Sequence, residues 1–248
     1  FGIIPSKVYY NGNTFEAIWW NDLIIAKEYR GNNFHQFIDN FIKLKKGLKL
    51  GFPNLNASKI HRKNSWNVMQ NFQIMAIPLK SQTTFSKSKL NIFQFLKIFW
   101  APVLDRIIKL SNSYFLSIKT KRSKQIFDPN PHDFEEIFKN NIKKNIITTS
   151  RSKNFFKWRY FNSPFKKDMQ FYITKGVSYN SHYCITRKLS SDLGIKILVL
   201  DLFGDFNDIQ GLKDLISFVI KDSLRIGATQ ISILCTSSKL KKILNRCG

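Results

Sequence analysis

Residues 14–46, TFEAIWWNDLIIAKEYRGNNFHQFIDNFIKLKK, hold the reading that decides the fold. The stretch 14 to 26 is rich in Ile and Trp and reads as a strand, and Glu28-Tyr29-Arg30-Gly31 breaks it. Phe34, Phe37, Ile38, Phe41 and Ile42 then recur at helical spacing, which predicts an amphipathic helix over 33–46. Upstream, residues 3–10 also read as a strand, and Asn11-Gly12-Asn13 between the two is a strong hairpin signal. Downstream, Leu48 to Phe52 is a short apolar run that stops at Pro53, residues 56–64 read as a second helix, and Trp66 to Ile77 returns to strand-like residues. This is α/β order, and it allows a parallel strand pair joined by the first helix.

From 80 to 124 the character changes: ten Lys and Arg side chains face a single acid, Asp105. Residues 79–150 therefore read as a basic, partly helical connector. Within it Leu90 to Leu110 has a wide apolar face interrupted by Pro102, which predicts either a core-packing helix pair or a membrane-surface helix with basic flanks. A second α/β set follows, with strands near 169–175, 181–188, 195–203 and 229–235 and helices at 210–226 and 238–247. It repeats the order of residues 14–65. The expected architecture is a mixed, largely antiparallel sheet flanked by helices, in two related lobes at 1–78 and 151–248. The chain starts at Phe1 and stops at Gly248 directly after a helix-like run, so both ends are expected to be truncated.

Hydrophobic residues make up 43% of the 248 residues, with 23 Phe, which sets the chain apart from disordered sequences. The three cysteines, Cys184, Cys235 and Cys247, and the four scattered histidines show no metal-ligand or disulfide spacing, so no metal is expected. The excess of 40 Lys and Arg over 16 Asp and Glu, a formal +24, predicts attraction to polyanions: nucleic acid, anionic lipid or phosphorylated cofactors. With no long apolar run and no signal pattern, a cytoplasmic location is expected, with peripheral membrane contact as a variant.

The segment from Asp22 to Gly31 resembles the strand and turn before the acyl-CoA pyrophosphate loop of GNAT (Gcn5-related N-acetyltransferase) proteins, whose loop pattern is Arg/Gln-x-x-Gly-x-Gly/Ala. Backbone N–H groups at a helix start, with small residues permitting close approach, cradle a diphosphate at the positive end of the helix dipole. Arg30 fits the first position, while Asn33 and His35 fall on the two small positions. A second segment, Asn54-Leu55-Asn56-Ala57-Ser58-Lys59-Ile60-His61-Arg62-Lys63-Asn64-Ser65-Trp66, is similar in register to the family signature N-x-x-A-x-x-L-Y-x-K-x-G-F. The resemblance implies a cofactor site of Ile24, Ile25, Arg30, Gly31, Asn32, Asn33, Phe34 and His35 with Asn54 and Ala57. It also implies acetyl-CoA as co-substrate. His61 stands where the family often has the Tyr that protonates the leaving thiolate, and an imidazole can do that work. It can equally pack a helix face. Asp22 and Glu16, on the strand beside the site, are candidates for the base.

The second half resembles the same fold more faintly, and Gly204-Asp205-Phe206-Asn207-Asp208 puts two acids where phosphates would sit. Lys157-Trp158-Arg159-Tyr160 resembles a segment before the second lobe of tandem GNAT-like proteins, some encoded among surface-polysaccharide genes. Trp158, Arg159 and Tyr160 are candidates for binding an anionic or sugar acceptor. The resemblance implies an acyltransferase, N-acetyl transfer being the default, with a small-molecule or glycan acceptor. Two other classes stand beside it: a catalytically degenerate ligand- or partner-binding protein, and a basic nucleic-acid-binding module. No helix-turn-helix, zinc-finger or RNP-like sequence supports the last.

Overall fold

The computed structural model describes residues 2–21, 26–29, 33–67, 73–81, 92–142, 147–176, 179–192, 194–235 and 237–245. They form two compact units, one of residues 1–69 with 143–151 and one of residues 70–142 with 152–248.

In the first unit, β1 (Gly2–Tyr10) and β2 (Asn13–Asn21) pair antiparallel along their full length, from Gly2 opposite Asn21 to Tyr10 opposite Asn13. The turn is Asn11-Gly12, both at positive φ, the geometry that matches the twist of a hairpin. α1 (Phe34–Lys43) then carries the chain to β3 (Leu48–Gly51), which lies parallel to β2 with Ala17 opposite Leu48 and Trp20 opposite Gly51. α2 (Leu55–Lys63) follows. The sheet order is β3, β2, β1 and the two-residue β6 (Thr148–Thr149), whose Thr149 pairs with Val8. Ile38 and Ile42, one turn apart on α1, pack with Trp20 of β2 and with Trp66. Each such buried side chain contributes about 2 kcal/mol. The neighbouring Phe37 and Phe41 are exposed, so the packed stripe of α1 is narrower than its apolar face.

In the second unit, β4 (Gln73–Pro78) lies at one edge of a six-stranded sheet. α3 (Ile92–Ser111) and α4 (Ser113–Ser117) lead to the opposite edge strand, β5 (Ser123–Ile126). α3 runs on through Pro102, where one of the two sequence readings was a helix pair, and it forgoes the bond an N–H there would make to the Ile98 carbonyl. Its Trp100, Val103, Ile107 and Leu110 form an exposed apolar stripe. After α5 (Pro131–Asn141), residues 143–151, which supply that short strand, return to the first unit. α6 (Lys153–Phe156) and a π-helical turn (Lys157–Phe161) lead to β7 (Met169–Lys175). β8 (Asn180–Ser191), β9 (Gly194–Gly204), α7 (Ile209–Arg225), β10 (Ala228–Cys235) and α8 (Ser238–Leu244) complete it.

The strand order is β4, β10, β9, β8, β7, β5; β9 and β10 are parallel and the other pairs antiparallel. One face buries Ile197, Ile231, Ile233 and Ile77 with Leu212, Leu215 and Val219 of α7. The other carries an aromatic layer in which Phe134 of α5 meets Phe156 and Tyr183, both at 5.5 Å, and Phe138 meets Phe203 at 5.1 Å. The stretch read as a connector thus supplies α3, α4, α5 and β5 to this unit. β4, on the other side of the expected boundary at 78, belongs to it as well.

Candidate functional site

In the first unit β2 and β3 end side by side, at Asn21 and Gly51, and each is followed by a helix. Crevices outside the carboxyl ends of parallel strands are where α/β sheets receive ligands. Neither α1 nor α2 has an acid in its first turn, so both helix starts retain their positive character. The Asn54 side chain caps α2 by accepting the Ala57 N–H at 2.9 Å. His61, on the next turns of α2, has its ring edge-on to Trp20 at 4.7 Å and to Trp66 at 4.9 Å. Trp66 in turn donates its Nε1–H to Asp39 at 2.6 Å, and Lys43 meets the other oxygen of that buried carboxylate at 2.9 Å. Because Lys43 also donates to the Asn64 carbonyl at 3.1 Å, α1 and the end of α2 are tied together around the His61 ring.

Of the sequence candidates, Asp22, Ile24, Ile25, Arg30, Gly31 and Asn32 lie outside the described residues. Phe34 and His35 open α1, with the described backbone beginning at Asn33. Glu16 is solvent-exposed, pairs with Lys7 at 3.3 Å, and lies five residues before Asn21, roughly 17 Å along the strand. That puts it far from the carboxyl end of β2. Trp158 and Arg159 are exposed with the guanidinium 5.9 Å from the indole, whereas Tyr160 is buried against Phe155 and Phe156. Of those three, the first two are exposed to solvent.

Three described residues other than glycine have positive φ, and two of them stand where the family patterns have glycine. Asn33, the residue before α1, is left-handed at φ 53° and ψ 17°. Ser65, just past the end of α2 in the Lys63-Asn64-Ser65-Trp66 register, is at φ 64°. Both residues thus hold a backbone conformation that glycine adopts most readily. Serine is the poorer host of the two, since asparagine visits this region more readily. Ser65→Gly is therefore expected to stabilise the chain by about 1 kcal/mol and Asn33→Gly by less. Urea denaturation midpoints at unchanged slope would show it, and a Ser65→Gly variant less stable than the parent would refute the assignment.

The second unit repeats the arrangement with different electrostatics. β9 and β10 run parallel to Val199 opposite Ile233, after which Leu200 forms a bulge between the pairs Thr186–Val199 and Ile185–Asp201. Beyond Gly204, the Asp208 carboxylate caps α7 by accepting the Gly211 N–H at 2.9 Å, and Arg122 donates to it at 2.5 Å. Burial alone would raise the Asp208 pKa. The hydrogen bonds from Arg122 and Gly211 and the guanidinium charge outweigh it, and hold the carboxyl below its ordinary range. His182 is buried beside this turn, with Nε2 at 2.8 Å from the Asp205 carbonyl and Nδ1 at 2.8 Å from Ser181 Oγ. Desolvation pushes its pKa down. An internal carboxylate therefore occupies the helix start where an anionic ligand would be received.

Sequence reading missed Asp201, a nearly buried carboxylate that accepts the Tyr183 hydroxyl at 2.8 Å one residue past the bulge. Its signal was a lone acid inside the apolar run 195–203. Among the described residues there is no group of three or more His, Cys, Asp or Glu side chains that could hold a metal ion, and no helix long and apolar enough to cross a membrane.

No family model matches the chain, and no curated protein matches it in sequence. Solved structures do match in fold. Saccharomyces cerevisiae N-myristoyltransferase with bound myristoyl-CoA aligns over 99% of this chain and 59% of its own at 12% identity and a TM-score of 0.57. A GCN5-related N-acetyltransferase from Anabaena variabilis aligns over 95% and 52% at 11% identity and a TM-score of 0.59. A conserved Enterococcus faecalis protein aligns over 94% and 50% at 13% identity and a TM-score of 0.56. The chain thus spans about half to three-fifths of the length of these proteins. The chain thus shares the fold of these N-myristoyltransferase and GCN5-related N-acetyltransferase structures.

Proposed function

We propose that the chain is an acyltransferase that receives its acyl group from an acyl-CoA held at the carboxyl ends of β2 and β3. The observation that carries this reading is the left-handed backbone at Asn33 and Ser65, two glycine positions of the two segments that resemble the family's cofactor motifs. The acid-free starts of α1 and α2 support it, as does a fold neighbour with myristoyl-CoA bound. Acetyl is the default acyl group.

In this reading Arg30 and the N–H groups of the loop through Asn33 take the diphosphate, and Asn54 and Ala57 lie along the pantetheine arm. An acceptor amine or hydroxyl attacks the thioester carbonyl, its new bond to carbon forming as the C–S bond breaks. The acceptor proton goes to a base, for which Asp22 remains a candidate. His61 returns a proton to the departing thiolate from the position of the family's tyrosine. Separately, on the second unit, Trp158 and Arg159 offer a stacking and charged surface suited to an anionic or sugar ligand, such as a surface-polysaccharide precursor. The second unit, with its anion position already filled by Asp208, serves as a lobe without cofactor, in tandem with the first.

Calorimetric titration with acetyl-CoA tests the proposal. Wild type is expected to bind, and Arg30→Ala to weaken binding on the order of tenfold or more through loss of a charge-assisted phosphate contact. No binding by wild type, with binding gained in an Asn33→Gly, His35→Gly double variant, would favour the second reading, a GNAT-fold protein whose loop has lost its cofactor.

A further inference from the structure

The row of register partners Ser123, Thr174, His182 and Gly204 runs straight across β5, β7, β8 and β9. Arg122 and Lys175, which flank that row, therefore emerge at one end of the sheet. There the start of β5, Lys175 at the end of β7, Tyr179 just before β8, and α5 bound a groove of about 510 Å³ lined by Lys121, Arg122, Lys124, Glu136, Lys175 and Tyr179. Four cations face one acid. Glu136 is engaged by His132 at 3.5 Å. Lys121, Lys124 and Lys175 are exposed and have no ion-pair partner among the described residues. Arg122 is fixed rather than free: its Nε–H donates to the Lys175 carbonyl at 2.9 Å and its other nitrogens to Asp208.

Like charges gathered round a concavity focus a positive potential there, and among the described lining residues Glu136 is the one acid set against the three lysines. A ligand with one negative charge would leave most of that field uncompensated. The volume suits a small molecule rather than a macromolecular surface. We propose that this groove binds a compact polyanion carrying two or more phosphate groups. The site belongs to the second unit alone and stands apart from the acyl-CoA reading of the first.

The test is calorimetry at near-physiological salt with inorganic tripolyphosphate, and with ATP in a second arm. The parent is compared with Lys121→Ala, Lys124→Ala, Lys175→Ala and with a control of equal charge loss, Lys45→Ala, Lys46→Ala, Lys49→Ala. Tripolyphosphate is expected to bind the parent, to weaken on the order of tenfold in the groove variant, and to change by less than about twofold in the control. Urea midpoints matching the parent's would certify the fold of the groove variant, and tripolyphosphate, which has no pantetheine or acyl group, keeps this result separate from the cofactor question. ATP binding tighter than tripolyphosphate would mean that a nucleoside adds affinity to the same phosphate site, and equal affinity that phosphates alone are read. Absence of tripolyphosphate binding, or equal weakening in groove and control variants, overturns the proposal by reducing it to bulk charge.

Discussion

Gly204→Ala is expected to lose about 3 kcal/mol of stability, enough to cut the yield of folded protein sharply. Gly204 ends β9 at φ 157°, and a Cβ there would drive into the Ser181 carbonyl oxygen and stand 2.6 Å from the His182 Cα. Neither can retreat. Ser181 accepts the Asp205 N–H at 3.0 Å, and His182 is held by the Asp205 carbonyl and the Ser181 hydroxyl. The added methyl would have to displace backbone on two strands, not the tip of a flexible side chain. Gly227→Ala is the natural control, because its Cβ would meet nothing within 4 Å and only its φ of 77° is unfavourable. Thermal or urea unfolding of the two variants should differ by about 2 kcal/mol, and similar losses would show that the β8–β9 contact yields easily.

Asp208→Ala is expected to cost about 2 kcal/mol, by uncapping the 17-residue helix α7 and leaving the half-buried Arg122 without its carboxylate. Asp208→Asn, which keeps an acceptor for the Gly211 N–H, should recover the capping share alone. The pH dependence gives an independent readout. The Asp208 carboxyl is held below its ordinary value in the folded state, so at acid pH the unfolded chain binds the extra proton. The contribution of this group is complete above the ordinary carboxylate pKa of about 4 and fades as pH falls through the folded value. Stability curves of parent and Asp208→Ala should therefore run apart at neutral pH and converge below about pH 4. Curves that stay parallel into acid would mean that the ion pair adds nothing beyond the cap.

Much of the architecture was legible because the chain marks it locally. Asn11-Gly12 announced the hairpin, and the strands and helices after residue 169 fall within a few residues of their expected spans. Periodicity identified α1 but not which part of its apolar face packs: Ile38 and Ile42 go inward with the acid Asp39, while Phe37 stays exposed. That choice is made by Trp66 and Lys43, whose contacts with Asp39 no period reveals. In the basic stretch, composition masked structure. The lysines of 79–150 decorate elements whose buried members, Phe115, Phe134 and Phe138, are spaced too widely to stand out. At the site, the acids near Gly204 were legible as unfavourable for phosphate, but their partner Arg122 lies 86 residues before Asp208 and was not.

The route of the backbone between the two units has one more consequence. It crosses from one unit to the other near residue 70, returns at 143 to lend Thr148 and Thr149 to the edge of β1, and crosses again at 152. Any single scission therefore leaves a fragment holding a piece of its neighbour: a product starting at residue 79 would lack β4 and present the bare edge of β10 to whatever strand it met. Dissecting this protein by truncation would thus manufacture sticky sheets rather than isolated modules, and point substitution is the sound way to ask which unit does what.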